Sequence, residues 1–306
     1  MLKETIPFTS IFSGSVPLQR LHNPLWEDQQ IGLTVFRADL IHPLISGNKW
    51  YKLQYYIKDC LATGKSGLIT MGGAYSNHLL ATAATAHHYQ LRSMAFVRGE
   101  ESSTDSPTLA DCRRLGMQLR FIDRPSYRQE GYLLKLAAEW APDHTWIPEG
   151  GNSDTGIAGA QDMLKDIDLP AYSHVCCAIG SGTTFTGLSR AIEAHQEIIG
   201  VSALKIPEPS AWLNHLLELP SRGSQNILTH FHQGGFARYD QELLSFMNDF
   251  YHRYQIATDF VYTAKLFRAV FQQLKEGAIP RNSELLCIHS GGLQGNRSLP
   301  AGSLAF

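Results

Sequence analysis

Hydrophobic and polar positions switch between two periods along this chain. From Asn48 to Ala62 the apolar residues Trp50, Leu53, Ile57 and Leu61 recur at spacings of three and four, the mark of a helix with one buried face. His174–Ile179 is instead an unbroken apolar run, as in a strand buried on both sides. The spacing predicts strands over Thr34–Leu40, Gly67–Met71, Ser93–Val97, Met117–Ile122, Thr145–Ile147, His174–Ile179, Ile198–Ala203, Ile227–His232 and Glu284–Ile288. It predicts helices over Asn48–Ala62, Ser76–His87, Pro107–Leu115, Tyr132–Trp140, Gly156–Asp166, Thr183–His195, Gln241–Tyr254 and Ala264–Glu276. Strands alternating with helices mean βα units and parallel sheets. The units are too many for one compact sheet, so two α/β domains are expected.

Composition narrows the function classes. The 306 residues suit about two domains. With 26 basic and 28 acidic residues the net charge is −2, which gives no electrostatic footprint for nucleic acid or an anionic membrane. No apolar run approaches the ~18 residues of a membrane span. The first residues lack the basic and apolar regions of a signal peptide. Five scattered cysteines, an odd number, form no disulfide framework and suggest a reducing, cytoplasmic setting.

Three predicted strands run into glycines, at Gly72-Gly73, Gly180-Ser181-Gly182 and Gly291-Gly292. Ligands of open α/β sheets bind at the carboxyl ends of strands, although glycine also occurs in such turns for backbone reasons alone. Gly180-Ser181-Gly182-Thr183-Thr184 leaves a buried strand and opens a helix. Small residues there expose backbone N–H groups, and the hydroxyls add donors, which suits a phosphate. A dinucleotide fingerprint would need glycine at Phe185, and a nucleoside-triphosphate loop would need lysine at Leu188. A monophosphate held by backbone donors remains.

Lys49 and Lys52 share one helix face near its start. A lysine beside helix-terminal donors and a second ammonium has a lowered pKa and attacks an aldehyde more readily. The alternative is a pair of solvated surface lysines. Ser76 and Asn77 stand at a helix start, where they either cap it or face a ligand. His230 and His232 would share one face of the predicted strand, as a metal pair or as structural residues; no third ligand stands at metal spacing, so no metal is expected. Cys176 and Cys177 read as core, and the absence of a G-x-S-x-G elbow excludes an α/β-hydrolase.

Six stretches occur in one order: Ser46-Gly47-Asn48-Lys49 followed by Lys52-Leu53, Gly72-Gly73 followed by Ser76-Asn77-His78, Glu149-Gly150-Gly151, Gly180–Leu188, Asp259–Lys265 and His289-Ser290-Gly291-Gly292. Together they resemble the pyridoxal-phosphate-dependent enzymes of the tryptophan synthase β-like fold, fold type II. Within these the chain is most similar to the 1-aminocyclopropane-1-carboxylate deaminase and D-cysteine desulfhydrase branch. The resemblance spans about residues 15 to 295. It implies two open, twisted parallel-sheet domains with pyridoxal 5'-phosphate in the cleft between them. Residues 1–49 and 153–306 would form the large domain and 50–152 a small inserted one. It also implies a homodimer acting on a small amino acid.

The resemblance assigns roles at matching positions. Lys49 bonds to the cofactor and shuttles the α-proton. Lys52 contacts the phosphate, together with Gly180, Ser181, Gly182, Thr183 and Thr184. Asn77 meets the phenolic oxygen of the pyridine ring and Ser290 its nitrogen. Ser76, Asn77, His78 and Tyr262 face the substrate, with Ser76 and Tyr262 also catalytic. A hydroxyl at the ring nitrogen does not keep it protonated, which favours expulsion of a β-leaving group over transamination. Ring-opening deaminases typically carry Glu after the motif tyrosine and S-N-Q in the second stretch. Here Thr263 and His78 stand there, which points to the D-cysteine desulfhydrase side: pyruvate, ammonia and sulfide as products. Phe260 and Ala264 replace the usual Pro and Gly. Two other readings stay open. The βα alternation fits a nicotinamide oxidoreductase, and the bulky Trp50 and Phe260 fit a non-catalytic pyridoxal-phosphate-binding protein.

Overall fold

The computed structural model describes residues 8–12, 14–207 and 210–306. The ten strands among these, numbered in chain order, form two sheets. The chain divides into two compact units, His42–Gly159 with part of the N-terminal stretch, and Gly14–Ile41 with Ala160–Phe306.

The second unit holds β1 (Leu18–Leu21), β2 (Gly32–Phe36), β7 (His174–Ile179), β8 (Glu197–Ser202), β9 (Ser224–Leu228) and β10 (Glu284–Ile288), in the order β1-β2-β10-β7-β8-β9. β1 is antiparallel to β2 and every other pair is parallel. Alternate residues Leu33 and Val35, Ile199 and Val201, and Leu285 and Cys287 share one face and pack on Phe250, Phe267 and Val270. β10 lies between β2 and β7, so neighbours in the sheet come from opposite ends of the chain.

The first unit holds β3 (Gly67–Gly72), β4 (Arg92–Arg98), β5 (Gln118–Ile122) and β6 (His144–Trp146) in the order β5-β4-β3-β6, all parallel. Both faces of β4 are covered. Met94 and Phe96 meet Leu133 and Ala137, while Ala95 and Val97 meet Leu79, Leu80, Leu109 and Cys112. That double cover is why its sequence reads as a continuous apolar run.

Several boundaries differ from the sequence expectation. The strand expected to reach Leu40 ends at Phe36, because Arg37 turns back to bind Asp39 through Nε and Nη2 and residues 38–40 form a 3-10 turn. The helix expected to reach His195 ends at Ala191, where Ile192 turns extended and Gln196 takes the N–H of Glu193. The strand expected over Ile227–His232 covers Ser224–Leu228, so His230 and His232 lie beyond it and the alternation that would pair their rings is lost. Among the described residues no cluster of three or more His, Cys, Asp or Glu could hold a metal. The helix Ala211–Glu218 was not expected, although Ser210 as its cap and Pro220 after it are ordinary helix punctuation. The unit cuts fall at 41/42 and 159/160, and the resemblance implies domain boundaries after 49 and 152. The helix Asn48–Ala62 is continuous, so Lys49 goes with the rest of it. All five cysteines are free and buried. No helix among the described residues is long and apolar enough to cross a membrane.

Candidate active site

In the first unit the helix Asn48–Ala62 starts on Gly47, whose φ of 66° is one that a side chain rarely tolerates. Lys49 is half-buried and Lys52 is buried. The ammonium of Lys52 donates to the carbonyl of Gly150 at 3.1 Å, and Gly151 packs against its stem. The Glu149-Gly150-Gly151 turn is thus the mould around Lys52. Gly159 lets the helix Asp154–Gln161 approach closely, since a Cβ there would overlap the Tyr51 carbonyl and lie 2.9 Å from Lys52 Cα.

Ser76 caps the helix Asn77–His88 by accepting from the N–H of Leu79. Capping leaves its own hydroxyl hydrogen to donate elsewhere. A side chain at Gly72 would strike Ser76 and Leu79, so the turn requires glycine. Asn77 is half-buried at the helix start, and His78 is buried with Nε2 2.9 Å from Thr70 Oγ1. Burial, then the charges of Lys49 and Lys52, hold the His78 imidazole well below its ordinary pKa.

In the second unit β7 runs into Gly180-Ser181-Gly182, and the helix Thr183–Ala191 begins on Gly182 with a left-handed φ of 88°. Glycine there provides no capping side chain. Thr183 and Thr184 are buried, and the Ser181 and Thr183 hydroxyls are 2.9 Å apart. Leu216 of the helix Ala211–Glu218 closes the outside, 3.0 Å from where a Cβ on Gly182 would stand.

Tyr262 stands over this turn: a Cβ on Gly180 would come within 2.9 Å of its ring. Its backbone is set by the buried Asp259, whose carboxylate accepts from the N–H groups of Val261, Tyr262 and Thr263 and from the Thr263 hydroxyl. Ser290 is half-buried just past β10. Next to it His289 is fully buried; its Nδ1 accepts from the Gly291 N–H, so Nε2 donates to the carbonyl of Ala257 at 2.7 Å. Asn296 accepts from the Phe260 N–H and donates to Thr258. The Ser290 turn and the Tyr262 turn are therefore tied together. Asp259, His289 and Asn296 are supporting residues that sequence reasoning did not single out, although the first two lie inside the quoted motifs.

The bulky residues are core. Trp50 is buried and its indole stacks on Phe8, with ring centres 6.4 Å apart. Phe260 is buried beside Leu243, Leu244 and Met247, edge-on to Tyr239. Each is used in packing, which removes the reason for a non-catalytic reading.

The donor set fits pyridoxal phosphate: a glycine-started helix flanked by hydroxyls for a phosphate, an amine for an aldehyde, and a phenol beside the turn. A family model described as "Pyridoxal-phosphate dependent enzyme" matches residues 12–291. The chain belongs to this family of pyridoxal-phosphate-dependent enzymes. Its cofactor is pyridoxal phosphate, and the nicotinamide reading is set aside. A Thermotoga maritima protein named "Putative 1-aminocyclopropane-1-carboxylate deaminase" is 28% identical over 301 residues, covering 91% of this chain and 94% of that protein. A D-cysteine desulfhydrase of Klebsiella pneumoniae is 25% identical, covering 94% of each chain. The crystal structure of an ACC deaminase homologue superposes with a TM-score of 0.78 at 24% identity over 96% of this chain and 92% of that one. The fold is that of the type II enzymes. At family level the chemistry is that of lyases and deaminases of small amino acids.

Proposed function

We propose that this enzyme deaminates a small amino acid, 1-aminocyclopropane-1-carboxylate foremost, to ammonia and a 2-oxo acid. The observation that carries the reading is the ring of Tyr262 against Gly180, a phenol set beside the turn to which we assign the phosphate. Bound pyridoxal phosphate supplies an aldehyde for the amino group and a sink for the electrons left at the α-carbon. Lys49 would hold the cofactor at that aldehyde, and its Nζ, freed when the substrate amine takes its place, would carry the α-proton. The backbone of Gly180, Ser181, Gly182, Thr183 and Thr184 would hold the phosphate, and Lys52 would supply a cation to it. Asn77 orients the ring through its phenolic oxygen, and Ser290 meets the ring nitrogen. Ser76 donates its free hydroxyl hydrogen to the substrate carboxylate, His78 supports that turn through Thr70, and Tyr262 serves the substrate side chain.

The substrate choice turns on position 263. Thr263 is fully buried, its hydroxyl donates to Asp259 Oδ1 at 2.7 Å, and it accepts from the Asp259 N–H at 2.8 Å. The turn uses that side chain, so the lack of Glu there does not argue against ring opening. The name of the Thermotoga maritima relative supports the ring-opening reading. D-cysteine elimination is the second reading, favoured by the Klebsiella pneumoniae relative and by Ser76-Asn77-His78.

The test is a substrate panel on protein loaded with pyridoxal phosphate. A visible absorbance band that Lys49→Ala abolishes is expected first. 2-Oxobutanoate from the cyclopropane amino acid supports the main reading, and pyruvate with sulfide from D-cysteine the second. A loaded enzyme that yields neither product would overturn both.

A further inference from the structure

Lys265 closes the Asp259–Lys265 stretch and has no part in the chemistry above. It lies on the helix Thr263–Lys275 and is fully buried. Its Nζ donates to the carbonyls of His232 at 2.8 Å and Gly235 at 2.9 Å. Burial lowers its pKa to about 8, partly offset by Asp259 and Asp240. Taking an ammonium out of water is costly, and a methionine of similar length would fill the space without that cost. Core packing therefore does not explain the amine.

What the amine grips is a turn with no regular structure of its own. Gln233, Gly234 and Gly235 all have positive φ, at 48°, 89° and 125°. Within the turn Gly235 N–H reaches His232 O, and Gly234 N–H reaches the His232 ring. The next residue, Phe236, is 49% exposed, yet its ring sits 6.0 Å from that of Tyr262 at 65°, an edge contact. An exposed aromatic on a glycine turn has little else to fix it.

We propose that Lys265 is a positioning residue: its buried ammonium clamps the His232–Gly235 turn and so holds Phe236 edge-on against Tyr262. Asp259 sets the Tyr262 backbone, Gly180 lies against the ring, and the clamped Phe236 adds an edge contact to it. The proposal rests on the reading that Tyr262 serves the substrate.

The first test does not depend on activity. Lys265→Met and the parent protein are digested briefly with chymotrypsin, and cleavage after Phe236 is located by mass spectrometry. Cleavage there is expected to be at least about fivefold faster in the variant, as local opening becomes easier. An unchanged rate would overturn the clamp. The second test is a double-mutant cycle of Lys265→Met with Tyr262→Phe, using whichever of the cyclopropane amino acid and D-cysteine is turned over. Lys265→Met is expected to lower kcat about tenfold alone and less than about twofold beside Tyr262→Phe. Equal losses in both backgrounds would mean a general structural role and overturn the proposal. If Lys265→Met does not fold, Phe236→Ala replaces it in the cycle, because its half-exposed ring is not core; equal losses again overturn the proposal. Unchanged turnover in Tyr262→Phe instead overturns the functional reading and leaves the digestion to decide the clamp.

Discussion

Thr70 Oγ1 stands 2.9 Å from His78 Nε2 and gives its own hydrogen to the carbonyl of Ile147, 2.8 Å away. A hydroxyl has one hydrogen, so Nε2 of His78 must carry a proton and donate it to Thr70 Oγ1. Thr70→Val strips this relay and is expected to destabilise the fold by about 1–3 kcal/mol, read from the urea midpoint.

The same histidine makes stability depend on pH. Its folded pKa lies well below the ordinary 6.5, so the unfolded chain binds the proton first. Stability is therefore full above about 6.5 and falls as pH drops from there toward the folded pKa, by about 1.4 kcal/mol per pH unit for one such group. His42, His174 and His232 are displaced in the same direction. Melting temperatures from pH 7.5 to 5.5 should thus fall less steeply in His78→Gln than in the parent. Parallel curves would mean that His78 ionises as freely as in water.

Gly180→Ala puts a methyl group 2.9 Å from the Tyr262 ring. Gly180 does not have a positive φ, so the backbone tolerates alanine and the ring must move. The visible cofactor band is expected to persist while kcat falls by about tenfold to a hundredfold. Normal turnover would mean that the ring position is immaterial.

Asp259→Asn replaces a carboxylate that accepts four hydrogen bonds with a group that turns an N–H toward donors. A loss of about 2 kcal/mol or more in unfolding free energy is expected, with a matching fall in turnover as the Tyr262 turn loosens. Stability equal to the parent would remove Asp259 from the support of that turn.

Gly159→Ala forces two helices apart at Tyr51 and Lys52. Alanine gains about 1 kcal/mol of helix propensity. Overpacking costs about 1–3 kcal/mol. A net fall in melting temperature with weaker retention of pyridoxal phosphate is expected, because the helix start carries Lys49. A stabilised variant with full retention would show that the two helices are free to separate.

Local order was legible in the sequence wherever a segment carries its own reason. The helix Asn48–Ala62, the strand His174–Ile179, the helix Gln241–Tyr254 and the strand Glu284–Ile288 keep the bounds their periodicity predicts. β1 went unread because Leu18–Leu21 is four residues long and exposes Leu18. Its pairing with β2 exists only once the sheet has formed.

The sequence by itself determined the alternating α/β units, the three glycine turns and, through six ordered stretches, the family and its cofactor. These are carried by side-chain identity and spacing, which a sequence displays directly. Only the tertiary structure decided that β10 enters between β2 and β7, that Thr263 belongs to the Asp259 turn, and that Trp50 and Phe260 are core. It also revealed the hold of His289 on Ala257 and of Lys265 on His232 and Gly235. Those partners are backbone carbonyls, which every residue possesses. No residue type announces them, and the chain must fold before they can be chosen.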